Sequence, residues 1–490
     1  MILKNFINGE WVESTSLECV PDINPADVNE VLCHSPHSTE AETQVAIAAA
    51  RRAFPAWKDT PAPQRGRLLF RAMTLMQQRI EELAETLTKE EGKILKDSRG
   101  EVQRAINVME FTAGEGRRLR GSTIPSEIPC TFIYTVRQPV GVVGLITPWN
   151  FPVAIPVWKI APALLSGNTV VFKPAELTPL CAVKIIEIFQ EAGFPPGTLN
   201  LVLGKGIVVG NTLVNSGEVD AISFTGSNEV GCGIYERASR RGIRVQCEMG
   251  GKNPVVVLED ADIPLAVEGV IQGGFGSTGQ RCTAASRAVV VDAIADQFVE
   301  ALIARAQKIR TGNGLNPDVD MGPLVDEKQM SSVQQYIEIG KTEGAKLVLG
   351  GKRLMDDTCR GYFIEPTIFD RVEPGMRIAQ EEIFGPVVSV LRAKDFDHAV
   401  QIANSVPFGL SASVYTQDVN RAMRFVDLVE AGKVHINSST IGGEAQAPFG
   451  GTKATGIGPR EQGTEVFEFY TEIKTVYVDY TGKKRDSSFY

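Results

Sequence analysis

Cys282 and Glu248 are the residues of this chain best suited to covalent and acid–base chemistry. Cys282 lies in GSTGQRCTAA (276–285), where small neighbours permit close approach of a reactant and Arg281 sets a cation beside the thiol. The thiolate is the nucleophilic form of cysteine, and positive charge favours it. Glu248 stands in CEMGGK (247–252) at the end of an apolar run. Partial burial there would lift its pKa toward that of a useful base. Asn150, in TPWNF (147–151), can offer an amide N–H to a developing oxyanion. In FKPAE (172–176), Lys173 can donate to ribose hydroxyls, and Glu176 can accept from a 2′-OH while repelling a 2′-phosphate. Only four histidines occur, none spaced as ligands on a helix, so a metal site or a histidine-based triad is hard to build. Each candidate also has an ordinary reading: a buried thiol, an exposed strand-end acid, a turn asparagine, a solvated Lys–Glu pair.

Two glycine turns bear on phosphate binding. Gly204, Gly206 and Gly210 follow a strand and open a helix, but the spacing is GxGxxxG rather than the dinucleotide-binding GxGxxG. FTGS (224–227) is a second strand-to-helix turn, whose helix N-terminus offers free N–H groups to a pyrophosphate. A plain βα turn remains the other reading of both.

The elements that must carry these residues follow from periodicity. Leu69, Met73, Met76, Ile80, Leu83 and Leu87 form one apolar stripe, predicting a helix over 66–92. A second helix is expected over 97–115, with Val102, Ile106, Met109 and Ala113 on one side and Gly100, Arg104, Asn107 and Phe111 on the other. From about 140 onward, short β-branched runs alternate with helices. The runs 141–146, 169–172, 199–203, 221–224, 243–247 and 254–258 read as buried strands. Thr178-Pro179 opens a helix, and Ser227 caps another ending near Gly242. Strands this short, separated by helices, imply right-handed βαβ units and parallel sheets, an α/β fold. A second α/β stretch runs over 251–468. The segments 131–137 and 469–479 stand outside both sheets and read as a protruding ribbon used for self-association.

Composition narrows the function classes. A length of 490 residues suggests about three domains. The net charge of −9 disfavours nucleic acid and anionic membranes as partners. No apolar run is long enough to span a membrane and no secretory h-region opens the chain, so a cytoplasmic setting is expected. The eight cysteines contain no CxxC pair and read as thiols rather than disulfides.

Taken in order, TPWNFP (147–152), NTVVFKPAE (168–176), FTGS (224–227), CEMGGKNP (247–254), GQRC (279–282), EEIFGPV (381–387) and PFGG (448–451) strongly resemble the aldehyde dehydrogenase superfamily. The one departure is EMGGK where ELGGK is commoner, a volume-conserving change. The resemblance implies an NAD-binding domain over 1–118 and 140–250, with a Rossmann-type parallel sheet. It also implies a catalytic domain over 251–468 and an oligomerisation ribbon over 119–139 and 469–490, in a homodimer or homotetramer. It makes Cys282 the nucleophile, Glu248 the base for a deacylating water, and Asn150 with the Cys282 backbone N–H the oxyanion hole. Lys159 would take part in proton relay. Lys173 and Glu176 would hold the adenosine ribose, Trp149 and Ser227 would flank the pyrophosphate, and Glu382 and Phe384 would meet the nicotinamide riboside. Ile146, Thr147, Pro148, Gly206, Gly210, Phe224, Thr225, Gly226, Val230, Met249 and Gly250 would complete the cofactor wall. Glu176 favours NAD, with NADP possible.

For the aldehyde, the resemblance implies a tunnel with the 97–115 helix as one wall. Phe151, Trp158, Thr283 and Phe449 would line it, with Arg104 and Arg281 as cations. Such a tunnel suits an aldehyde bearing a distal carboxylate. The closest likeness is to 2-oxoglutarate semialdehyde (2,5-dioxopentanoate) dehydrogenases, with succinate semialdehyde as the nearest competing substrate. An alternative for Arg104 is a solvated helix face. Two other classes compete: an NAD-independent thiol esterase using Cys282 and Glu248 alone, and a non-catalytic scaffold.

Overall fold

Residues 1–355 and 359–484 are described in the computed structural model. The β-branched runs form an eight-stranded and a seven-stranded sheet, both largely parallel and flanked by helices, as an α/β reading requires. In the first sheet, strands Thr169–Lys173, Val142–Ile146, Ala221–Thr225 and Arg244–Glu248 lie side by side and parallel. Every residue of the first two is buried, the signature of a sheet covered on both faces.

From Val142–Ile146 the chain winds outward to Thr169–Lys173 and Leu199–Leu201, then returns to lay Ala221–Thr225 on the opposite flank. At such a switch the loops leaving the carboxyl ends diverge and open a crevice. Register levels those ends: Ile146 pairs with Lys173 and Phe224, and Thr225 with Glu248. The candidate residues at 146–151, 173–176, 224–227 and 248–250 therefore gather at one rim.

In the second sheet, Asn253–Val257 lies between Ala285–Val291 and Ser411–Tyr415, and Lys433–Ile436 forms one edge. The ribbon is real: Thr131–Pro139 pairs antiparallel with Thr471–Asp479 along its whole length, leaving Phe132, Ile473, Tyr477 and Val478 exposed. Residues 485–490 of the expected ribbon lie outside the described residues.

Four local expectations need correction. The 66–92 helix is two, Ala62–Gln78 and Ile80–Glu91, broken at Arg79 (φ −107°, ψ 22°), whose guanidinium pairs with Glu191. The apolar period runs through the break because a one-residue kink hardly displaces the stripe. Neither Thr178 nor Ser227 caps with its side chain, and the second helix ends at Ser239. At Ser227 this leaves the first-turn N–H groups unspent. Phe469 belongs to the helix Val466–Tyr470, buried with Tyr470 in the first core, so the strand begins at Thr471. Finally, Gly456–Ile457 pairs with Arg244–Glu248, so the end of the 251–468 stretch returns to the first sheet.

Candidate active site

Cys282 follows a turn held in an unusual backbone shape. Ser277 (φ 48°), Thr278 (φ 57°) and Gly279 (φ 68°) are consecutively left-handed. A Cβ on Gly279 would lie 2.2 Å from the Gly385 carbonyl, so only glycine fits. Asp97 accepts from the Ser277 amide and hydroxyl, and Thr278 donates to the Gly322 carbonyl at 3.0 Å. The Cys282 carbonyl accepts from Asn253 Nδ2 at 2.8 Å, tying the loop to the second sheet. The residue as a whole is half-buried. Burial of the sulfur pushes its pKa up to about 12, the Glu382 and Glu248 carboxylates add to this, and Lys433 opposes it.

Glu248 ends its strand fully enclosed, and its Oε2 has no hydrogen-bond partner among the described residues. Burial first, then the Glu461 carboxylate, raises its pKa well above the usual range, while Lys159 and Arg460 pull the other way. Lys159 donates to Ser223 Oγ at 2.8 Å and forms an ion pair with Glu461. Glu461 reaches this place because its backbone pairs with Phe449 of the PFGG turn. Asn150 is buried, donates from Nδ2 to the Gln280 carbonyl at 3.0 Å, and so touches the loop that carries Cys282. Its own carbonyl accepts from Lys93 Nζ at 2.7 Å, and that lysine also pairs with Glu101 and lies 4.0 Å above the Phe151 ring.

The crevice between the sheets has the donors a dinucleotide needs. Lys173 is buried at its strand end, and burial lowers its pKa to about 8 against the pull of Glu176. Glu176 Oε1 accepts from the Gly206 N–H at 2.9 Å, and Gly210 lies against Ile146. Phe224 and Met249 pack beneath Gly231, with Gly226 on Phe224, while Val230 stands exposed. Thr147 and Thr225 each bury a hydroxyl without a partner among the described residues, and Pro148 is half-buried. Glu382 accepts from the Gly251 N–H at 3.0 Å, and burial raises its pKa to about 7. A Cβ on Gly250 would lie 1.9 Å from Glu382 Oε2, so that carboxylate rests directly on the backbone. Trp149 and Phe384 meet edge to face at 5.4 Å.

On the aldehyde side, Trp158 and Phe449 stack at 5.6 Å, with Arg104 over the first ring and Lys433 over the second. The Thr283 carbonyl accepts from Thr440. Arg104 lines an open cavity of about 970 Å³ between its helix and the 443–446 loop, together with Gln103, Asn107 and Glu110. Arg281 differs from expectation: its guanidinium is bound to Asp97 at 3.0 Å and to Ser277 Oγ, lining a different cavity. Lys433 opposes the rise in the Cys282 pKa, and Arg104 also feels the Cys282 charge. Lys433 reads in the sequence only as a polar residue opening an edge strand. Lys93, Glu461 and Gln462 were likewise invisible, since no local motif marks them.

Residues 11–476 match the model of the aldehyde dehydrogenase family. The chain belongs to that family. This aldehyde dehydrogenase is 48% identical over 97% of its length to the alpha-ketoglutaric semialdehyde dehydrogenase of Bacillus subtilis, of which 97% is covered. It is 47% identical over 96% of its length to the 2,5-dioxopentanoate dehydrogenase of Saccharolobus solfataricus, of which 98% is covered. Among solved structures it is similar to betaine aldehyde dehydrogenase from Staphylococcus aureus in complex with NAD+. That match has a TM-score of 0.95 and 39% identity, and covers 98% of this chain and 95% of that one. The aldehyde dehydrogenase assignment sets aside both the esterase and the scaffold readings.

Proposed function

We propose that this enzyme oxidises an aldehyde with a distal carboxylate, 2-oxoglutarate semialdehyde first, to the acid through a thioester on Cys282. Succinate semialdehyde is the nearest alternative. The observation that carries the chemistry is that Asn150 is bonded to the loop bearing Cys282 and that the Glu248 carboxylate acts on the Cys282 sulfur. The Cys282 thiolate adds to the aldehyde carbon, and the new alkoxide is met by the Asn150 amide and the Cys282 backbone N–H. NAD, when bound, supplies the hydride acceptor. The residues that would hold it are Lys173 and Glu176 at the adenosine ribose, the uncapped N–H groups after Ser227 at the pyrophosphate, and Glu382 at the second ribose. Glu248 then takes a proton from water, whose oxygen attacks the thioester carbonyl. The acid leaves and the sulfur regains its proton, through Lys159 and Glu461 as relay.

Arg104 beside the cavity supports an anionic substrate tail, as do the semialdehyde relatives. Glu176 supports NAD over NADP. The division into cofactor and catalytic units, a cytoplasmic setting and a homodimer or homotetramer belong to the same proposal. The exposed apolar side chains of the ribbon support self-association. No helix among the described residues is long and apolar enough to cross a membrane. NADH formation across a panel of semialdehydes, with Cys282→Ala as control, tests the reading. A wild-type enzyme no faster on acid-bearing aldehydes than on neutral ones refutes the substrate assignment.

A further inference from the structure

The aldehyde side of the site presents hydrogen-bond donors without acceptors to answer them. Arg104 and Lys433 approach the same point: a Cβ on Gly443 would lie 3.1 Å from Arg104 Nη2 and 3.5 Å from Lys433 Nζ. Both are partly buried, and neither has a carboxylate within ion-pair distance among the described residues. Arg104 donates to the Gly443 carbonyl and, at 3.0 Å, to Gln462 Oε1. Lys433 donates to the Gly442 carbonyl. Their remaining contacts are the faces of Trp158 and Phe449. Glu110 and Glu444 line the same cavity without pairing with either cation. Two further donors stand idle: Trp158 Nε1 and Gln462 Nε2 are buried without partners among the described residues. Because Gln462 Oε1 already accepts from Arg104, its amide nitrogen is the atom left over.

Burial without a counter-ion is costly for a cation, and two like charges raise that cost. Burial, with Arg104 adding, lowers Lys433 to about 8, and burial lowers Arg104 as well. A carboxylate bound between them would answer both charges, and a neighbouring carbonyl oxygen could use an idle donor. The Cys282 sulfur acts electrostatically on both cations.

We propose that Lys433 is a specificity-determining residue, closing with Arg104 a two-cation clamp on the distal carboxylate, with Gln462 Nε2 and Trp158 Nε1 as supporting donors. This rests on the acid-bearing substrate proposed above and adds the residue that sequence motifs do not mark. The competing role for Lys433 is to stabilise the Cys282 thiolate, which would serve every aldehyde alike.

The test compares 5-oxopentanoate with pentanal, equal in length and differing in the terminal acid, on wild-type enzyme, Lys433→Met and Lys433→Arg. The clamp predicts that Lys433→Met lowers kcat/KM for 5-oxopentanoate by about 30-fold, mainly through KM. It predicts a much smaller loss on pentanal, carried by kcat alone, and that Lys433→Arg recovers most of the loss on 5-oxopentanoate. Glutarate should protect Cys282 of the wild type from iodoacetamide and fail to protect Lys433→Met, a readout that needs no turnover. Equal losses on both aldehydes would assign Lys433 to the thiolate and overturn the clamp, while a wild-type preference for 5-oxopentanoate would leave the proposed function standing. A wild type without that preference overturns both. Should Lys433→Met not fold, glutarate protection of the wild type decides, and its absence refutes the clamp.

Discussion

Lys159 and Glu461, 302 positions apart in the chain, form a fully buried ion pair beside Glu248. The pair sets a carboxylate charge and an ammonium charge on the same base, with opposite effects on its proton. Burial and Glu461 together outweigh Lys159, so Glu248 holds its proton to higher pH than an ordinary glutamate.

Glu461→Gln should therefore move the acidic limb of the kcat profile to lower pH. The sign follows from removing a negative neighbour and releasing Lys159 from its partner, both of which favour ionised Glu248. A pH–rate profile of deacylation, followed by ester hydrolysis to separate it from hydride transfer, checks this. An unmoved or upward-shifted limb contradicts the assignment of Glu248 as base.

The resting thiol should be slow to alkylate at neutral pH, because burial and the Glu382 carboxylate hold its pKa near 12. Alkylation by iodoacetamide should rise with pH about tenfold per unit below that value. Glu382→Gln removes the second of those causes and should speed alkylation at pH 8. Equal rates in the two proteins would show that the Glu382 charge does not reach the sulfur.

Asn150→Ala should lower kcat by about 10²–10³-fold, the range for one lost oxyanion donor. NAD affinity, measured by fluorescence titration, should change little. A loss confined to KM would mean that Asn150 binds substrate without favouring the alkoxide.

Gly250→Ala should raise the Kd for NAD at least about tenfold, since the new methyl would occupy the place of Glu382 Oε2, 1.9 Å away. Calorimetric titration of the folded variant measures it. Unchanged affinity would remove Glu382 from the cofactor site.

Much of the site was legible because the fold delivers it by a local rule. In a parallel sheet the residues after each strand emerge at one rim, so TPWN, FKPAE, FTGS and CEMGG converge once the strands are read. Helix 97–115 was legible for the same reason, as a period that burial enforces. The break at Arg79 was not, because the apolar stripe continues through it.

The sequence by itself determined the candidate reactive groups, the strands that carry them and the family. Tertiary structure alone decided which charges meet. Arg281 adjoins Cys282 in the chain yet pairs with Asp97, whereas Lys433 and Arg104, from an edge strand and a distant helix, meet at Gly443. The direction of a side chain follows from backbone torsion and its partner from the packing of remote elements, and neither leaves a periodic trace in the order of residues.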